Sequence, residues 1–314
     1  MGKLRIGVVG VGHLGTYHLE KYALIDTCEV VAVADIDGLK ADRVAKKYGV
    51  KAYSHHRLML DRVDAVSIAV PTAAHYEVAK DFLTKGIHCL LEKPIARTLE
   101  EADELVKLAS ERKCIFQIGH IERFNPAIHA LKGILKKPLF IEAHRLHPFF
   151  ERGTDVDVIL DLMIHDLDIL LYFIGEPVIR VEAVGVPVLT DKIDIANVRL
   201  VFANGCVANL TASRVTAKTM QKIRFFGEDG YHAVDYGKRE LVSLKRSLDE
   251  KGRPTIVENE ISITPSDPLE MEIRSFVAAC EGHLAPPVNG EDGRRALALA
   301  LMILQKMKTR PDGN

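Results

Sequence analysis

No sign of charge dominates these 314 residues: 42 Lys and Arg stand against 43 Asp and Glu, a formal net charge of −1. Such a balance leaves no electrostatic footprint for nucleic acid or a membrane surface, and no run of Lys and Arg forms a basic arm. Cysteine is scarce. Cys28, Cys89, Cys114, Cys206 and Cys280 are isolated, odd in number and never spaced C-x-x-C. That argues against a disulfide framework or a zinc site and fits a reducing cytoplasm, with the thiols serving as small core residues. Long apolar runs are missing as well. The longest, 296–304, is nine residues, too short for a bilayer and suited to a buried helix. The N-terminus runs straight into a strand and a glycine motif, without the apolar segment and cleavage site of a signal peptide. Internal repeats and low-complexity segments are absent.

What is present is an ordinary globular balance, 47% hydrophobic and 27% charged, in a chain long enough for about two domains and a large core. The first third alternates short apolar runs with helical patterns. Strands are expected at 4–9, 30–34, 65–70, 87–91 and 115–118, and helices at 14–24, 40–47, 75–83 and 99–110. The strands are continuous and β-branched rather than alternating, as in a parallel sheet buried on both faces. The fold class is therefore α/β, opening with a doubly wound parallel sheet over residues 1–120. Beyond that point the pattern changes. A helix is expected at 126–135, a strand at 140–146 and a long apolar helix at 156–173, ended by Gly175 and Pro177. Strand-like runs follow at 178–186, 192–202, 206–214, 221–226, 231–235, 240–244 and 255–263, then helices at 269–280 and 293–307. Residues 121–314 thus read as a second, α+β domain with one largely antiparallel open sheet and helices on one face. The other face must meet substrate, a partner subunit or water.

Gly10-Val11-Gly12-His13-Leu14-Gly15 follows the first strand and opens the first helix. One glycine allows the tight turn, one lets a pyrophosphate approach the backbone, and one lets helix and strand pack closely. The helix N-terminus, with His13 and Leu14, offers N–H groups and a positive dipole end to phosphate. Asp35 ends the second strand at the distance expected for gripping a ribose 2′-hydroxyl. A carboxylate there repels the 2′-phosphate of NADP, and Ile36 supplies no counter-charge, so the cofactor expected is NAD. Pro71-Thr72 and Glu92-Lys93-Pro94 end the third and fourth strands, where ligands bind in open parallel sheets. His75 either hydrogen-bonds there or simply opens a helix. Lys93 either stabilises a developing alkoxide or pairs on the surface with Glu92.

In the second domain, Asp161, His165 and Asp168 fall at i, i+4 and i+7 of an otherwise apolar helix, on one face. Burying such groups is costly unless they pair or serve a polar cavity. An imidazole oriented by a carboxylate can accept the proton of a hydroxyl as hydride leaves the same carbon. A core histidine satisfied by Asp161 is the structural alternative. A metal reading lacks a third ligand, so no metal is expected.

Together these residues resemble the glucose–fructose oxidoreductase / inositol dehydrogenase / MocA family of NAD(P)-dependent oxidoreductases. The resemblance covers essentially the whole chain and rests on the glycine motif, Asp35, Val70-Pro71-Thr72 with His75, Glu92-Lys93-Pro94, and Asp161-x-x-x-His165. It implies a catalytic set of Lys93, Asp161 and His165, with His165 as proton acceptor. It also implies Glu92 and Lys93 near the cofactor, and a second-domain sheet that covers the nicotinamide and mediates a homodimer or homotetramer. Gly119-His120-Ile121-Glu122-Arg123-Phe124-Asn125-Pro126 resembles the segment of members acting on UDP-N-acetylhexosamines, which implies oxidation of the 3-hydroxyl of UDP-N-acetylglucosamine. Arg123, Arg145 and Arg214 could then serve a diphosphate, or equally be surface or interdomain arginines. A free-sugar or inositol dehydrogenase of the same family, and an NAD-binding sensor without turnover, are the competing functions.

Overall fold

The computed structural model describes residues 2–150, 156–228 and 230–308. The chain forms two compact units. One holds the residues up to Ile121 together with Asp267–Leu297, the other Glu122–Ser266 with the chain from Ala298 onward.

The first unit runs β1 (Leu4–Val9), α1 (His13–Tyr22), β2 (Cys28–Ala34), α2 (Gly38–Tyr48), β3 (Lys51–Tyr53), β4 (Ala65–Ile68), α3 (His75–Thr84), β5 (His88–Glu92), α4 (Leu99–Glu111) and β6 (Phe116–Gly119). Every strand pair is parallel, in the order β3-β2-β1-β4-β5-β6. That is the order of the doubly wound dinucleotide-binding sheet, whose strands all aim their carboxyl ends at one edge. Its central strands are largely apolar because both faces are covered: all four residues of β4 are buried. Side-chain caps start the helices where an orphan N–H needs an acceptor. Asp37 accepts from Lys40 N for α2, and Thr98 from Glu101 N for α4.

The second unit contains α5 (Pro126–Leu131), β7 (Phe140–Leu146), a π-helical turn at Ile159–Met163, α6 (Ile164–Ile174), β8 (Val178–Val186), β9 (Ile195–Phe202), β10 (Val207–Ser213), β11 (Met220–Gly227), β12 (Gly230–Asp235), β13 (Glu240–Leu248) and β14 (Pro254–Glu258). The sheet order is β14-β13-β12-β11-β7-β10-β9-β8. Among these pairs only β7–β10 is parallel. Burial alternates along β7 and β9, the mark of a sheet with one covered face. Ile141, Val198, Leu200, Leu210, Ile223 and Phe225 on that face pack with Leu167 and Leu170 of α6 in one core. Fully burying each such side chain is worth about 1.5–3 kcal/mol.

The chain closes with α7 (Pro268–Cys280) and α8 (Gly290–Lys308). Here the architecture departs from a single boundary after residue 120, because α7 returns to the first unit. Leu269, Ile273, Phe276 and Val277 share a core with Leu19 and Tyr22 of α1. A second departure concerns the helix expected at 156–173, which is divided into the π turn and α6. Gly175 (φ 70°) does end it, in the left-handed conformation. All five cysteines are unpaired thiols, and Cys28, Cys89 and Cys206 are buried. No helix among the described residues is long and apolar enough to cross a membrane.

Candidate active site

The three motif glycines meet three different constraints. Gly10 has φ 83°, and a Cβ there would lie 2.5 Å from the Ala69 carbonyl oxygen. A Cβ on Gly15 would lie 1.8 Å from the carbonyl oxygen of Gly10. Gly12 is different: its Cβ would meet only Lys40 Nζ, at 3.6 Å. Gly10 shapes the turn and Gly15 packs α1 on β1, whereas Gly12 leaves space on the outer side, as an approaching pyrophosphate requires. His13 and Leu14 open α1 with exposed side chains, and no side chain caps this terminus. What these residues offer is their backbone N–H groups, which have no intrahelical acceptor.

Asp35 sits beside this loop. Its carboxylate accepts from Val11 N at 2.9 Å and Asp37 N at 3.0 Å, which fixes its orientation. Ile36 is 96% exposed and contributes no charge, but Lys40 Nζ lies 3.7 Å from the Asp35 carboxylate. This cation escapes a reading confined to the residue after Asp35. It comes from the first turn of α2, four residues on, and one helical turn is the signal that would have found it. Asp35→Ala is expected to weaken NAD binding about tenfold or more, the worth of charged hydrogen bonds to a ribose diol. NADP should then gain on NAD, because Lys40 remains to meet a 2′-phosphate. Fluorescence titration with both cofactors checks this, and unchanged selectivity would remove Asp35 from the discrimination.

The other strand-end loops are tied to each other by His75. The ring is buried. Nδ1 lies 2.7 Å from the Pro94 carbonyl oxygen and Nε2 lies 2.9 Å from that of Val70. Burial pushes this imidazole below its ordinary pKa, against the pull of the two carbonyls. A neutral ring donates to one of these carbonyls and rests its other nitrogen against the second, so His75 sits between the Val70-Pro71-Thr72 and Glu92-Lys93-Pro94 segments with both nitrogens turned to the backbone. Pro71 precedes a 3-10 turn at Thr72–Ala74. Glu92 and Lys93 are half-buried, and the Lys93–Pro94 peptide is cis.

In the second unit, Asp161 lies within the π turn and His165 in the first turn of α6, both half-buried. π turns widen a helix by one residue and recur at functional positions. Asp157 starts this one by accepting from Ile159 N and Leu160 N. Asp168, expected on one helix face with Asp161 and His165, is taken up by an ion pair. It is 1% exposed and takes a two-pronged hydrogen bond from Arg123, at 2.6 and 2.8 Å. Asp166 likewise takes two bonds from Arg145, each 3.1 Å, and Arg145 also donates to Glu122 at 3.0 Å. Burial works against charge on Arg145, yet Asp166 and Glu122 outweigh it and hold the guanidinium protonated.

These pairs change the reading of the arginines. Arg123 and Arg145 are neither surface residues nor forks presented to a diphosphate; they fasten α6 to the Glu122–Arg123 segment and to β7. Arg214 is also used internally, donating to the Val156 carbonyl at 2.6 Å beside Asp194. Burial opposes ionisation of Asp194, but N–H groups of Val188, Leu189 and Thr190 hold it down to about 2. Of the 119–126 segment, Glu122, Arg123 and Asn125 therefore act as fasteners within the second unit. Asn125 caps α5 through Ala127 N and donates to Glu122 and to the Tyr236 carbonyl.

A doubly wound sheet with a glycine-lined phosphate cradle, followed by an α+β unit with a helix-borne Asp/His pair, defines a dinucleotide-dependent oxidoreductase. Comparison with known proteins agrees. Residues 4–120 match the NAD-binding Rossmann domain of the GFO/IDH/MocA oxidoreductases, and residues 133–232 match their C-terminal domain. The chain is 41% identical over 302 residues, 96% of each sequence, to UDP-N-acetylglucosamine 3-dehydrogenase of Acidithiobacillus ferrooxidans. A solved structure of that enzyme matches with TM-score 0.89 and 40% identity, covering 98% of this chain and 99% of its own. Myo-inositol 2-dehydrogenase of Thermotoga maritima is 28% identical over 327 residues, 98% of this chain and 97% of its own. The chain belongs to the GFO/IDH/MocA family, and it is an NAD-dependent oxidoreductase.

Proposed function

We propose that the protein oxidises the 3-hydroxyl of the sugar in UDP-N-acetylglucosamine. The observation that carries this is the 41% identity, across nearly the whole of both chains, to a relative named for that reaction, against 28% to one named for myo-inositol. Bound NAD supplies the hydride acceptor. The residues of the chain do the rest. Lys93 holds the reacting hydroxyl and steadies the negative charge that develops on its oxygen. His165 takes the hydroxyl proton, and Asp161, one turn earlier, orients the imidazole. The arginine pairs around Asp166 and Asp168 give His165 a fixed base, because a catalytic group misplaced by an ångström loses much of its effect. Arg123, Arg145 and Arg214 serve their internal partners rather than the diphosphate. We further propose a cytoplasmic homodimer or homotetramer formed through the open face of the eight-stranded sheet, where Ile179, Val184 and Val186 of β8 are exposed.

The test is NADH formation with purified protein across UDP-sugars, free hexoses and inositols. UDP-N-acetylglucosamine is expected to give the highest kcat/KM. Turnover of myo-inositol without turnover of any UDP-sugar would assign the chain to the inositol branch instead.

A further inference from the structure

Behind the Glu92-Lys93 strand end, the first unit encloses a line of polar groups that the reaction above does not use. Tyr22 Oη lies 2.8 Å from Ser67 Oγ, Ser67 Oγ lies 3.1 Å from His18 Nδ1, and His18 Nε2 lies 3.1 Å from Glu92 Oε1. Glu272 of α7 completes the group. It is wholly buried, and neither carboxyl oxygen has a hydrogen-bond partner among the described residues. Donor atoms of His18, Glu92 and Glu272 all lie within 4.8 Å of one another. Opposite them, a Cβ on Gly119 would come within 2.9 Å of the Glu92 carboxylate, so the pocket is closed on that side as well.

Counting protons decides the state of this group. If Tyr22 donates to Ser67 and Ser67 donates to His18 Nδ1, the imidazole proton sits on Nε2 and is donated to Glu92. Every donor is then used. Reversing the direction leaves the buried Tyr22 proton without an acceptor among the described residues and turns a bare Nε2 toward Glu92. The first arrangement makes Glu92 an accepting carboxylate. A second carboxylate at Glu272 would place two like charges together in the interior, which the low dielectric forbids. Burial first, and the charge of Glu92 second, push the Glu272 carboxyl well above the ordinary range.

We propose that Glu272 is a resident neutral acid packed beside the Glu92 carboxylate, making it a positioning residue for the strand end that carries Lys93. The same three side chains have the chemistry of a divalent-cation site, but a metal would need the His18 Nε2 lone pair, which the relay occupies with a proton. The effect on turnover rests on the proposed role of Lys93; the protonation state does not.

Infrared spectra of the intact NAD-bound protein at neutral pH are expected to show the carbonyl band of a protonated carboxylic acid, absent in Glu272→Gln. That variant keeps a neutral side chain of the same shape beside Glu92 and should retain kcat within about threefold. Glu272→Ala should lower kcat about tenfold or more with the Kd for NAD nearly unchanged, as misplacement of a catalytic group predicts. Absence of the acid band overturns the proposal. So does one equivalent of zinc or manganese in the purified protein, by elemental analysis, that Glu272→Gln loses, and so does a Gln variant as slow as the Ala variant. If no substrate turns over at all, the reading of the reaction fails while the infrared result still decides the state of Glu272.

Discussion

Replacing His165 with Ala is expected to lower kcat by about a hundred- to ten-thousand-fold, the range over which a positioned base accelerates proton transfer. At about 1.36 kcal/mol per factor of ten, the barrier rises by roughly 3–5 kcal/mol. The Kd for NAD should hardly move. The phosphate cradle and Asp35 belong to the first unit, whereas His165 belongs to α6 of the second, and the two units have separate cores. Half-buried His165 is also a position where truncation leaves the ion pairs of Asp166 and Asp168 in place, so the variant should fold. Single-turnover NADH formation, with NAD affinity measured alongside, makes the test. A rate within about threefold of the original would remove His165 from proton transfer.

Gly15→Ala is expected to destroy cofactor binding through the fold, and Gly12→Ala without it. The Cβ at position 15 would sit 1.8 Å from the Gly10 carbonyl oxygen, and Gly10 is itself hemmed in by Ala69. Backbone on both sides has nowhere to go, so α1 must lift from β1. Overpacking of this kind costs about 1–3 kcal/mol, occasionally more, which lowers Tm by several degrees. At position 12 the added Cβ would meet only the tip of Lys40. That variant should melt like the parent and yet lose NAD, because the new methyl fills the space reserved for pyrophosphate. Thermal melts with and without NAD separate the two. A Gly12→Ala protein still stabilised by NAD would show that the diphosphate lies elsewhere.

Much of this architecture is legible before any coordinates, for a physical reason. A parallel strand covered on both faces is written as a mostly apolar, non-alternating run, so β1, β2, β4 and β5 declare themselves. Glycine motifs are equally plain, since only glycine tolerates the Gly10 and Gly15 geometry. What stays hidden is set by distance along the chain. The return of α7 to the first unit depends on Phe276 finding Tyr22, and no periodicity within α7 says which core its apolar face will join. The widened turn at Ile159–Met163 is a hydrogen-bond shift without a residue signature. Arg123, Arg145 and Arg214 carry the residue type that grips phosphate, but their partners Asp168, Asp166 and Asp194 lie 45, 21 and 20 positions away or on another element. His18 left a trace that could have been followed: it falls with Leu19 and Tyr22 on the buried stripe of α1, where an imidazole must have partners.

The two arginine forks around α6 also bear on how this seat can be rebuilt. Losing one member of a desolvated pair strands its partner and costs about 3–5 kcal/mol, whereas exchanging the whole set for well-packed apolar side chains is close to neutral. Arg123 and Asp168 therefore form one unit of exchange, and Arg145, Asp166 and Glu122 another. A redesign that removes either set in full should leave the helix beneath His165 anchored, and one that trims a single charge should loosen it.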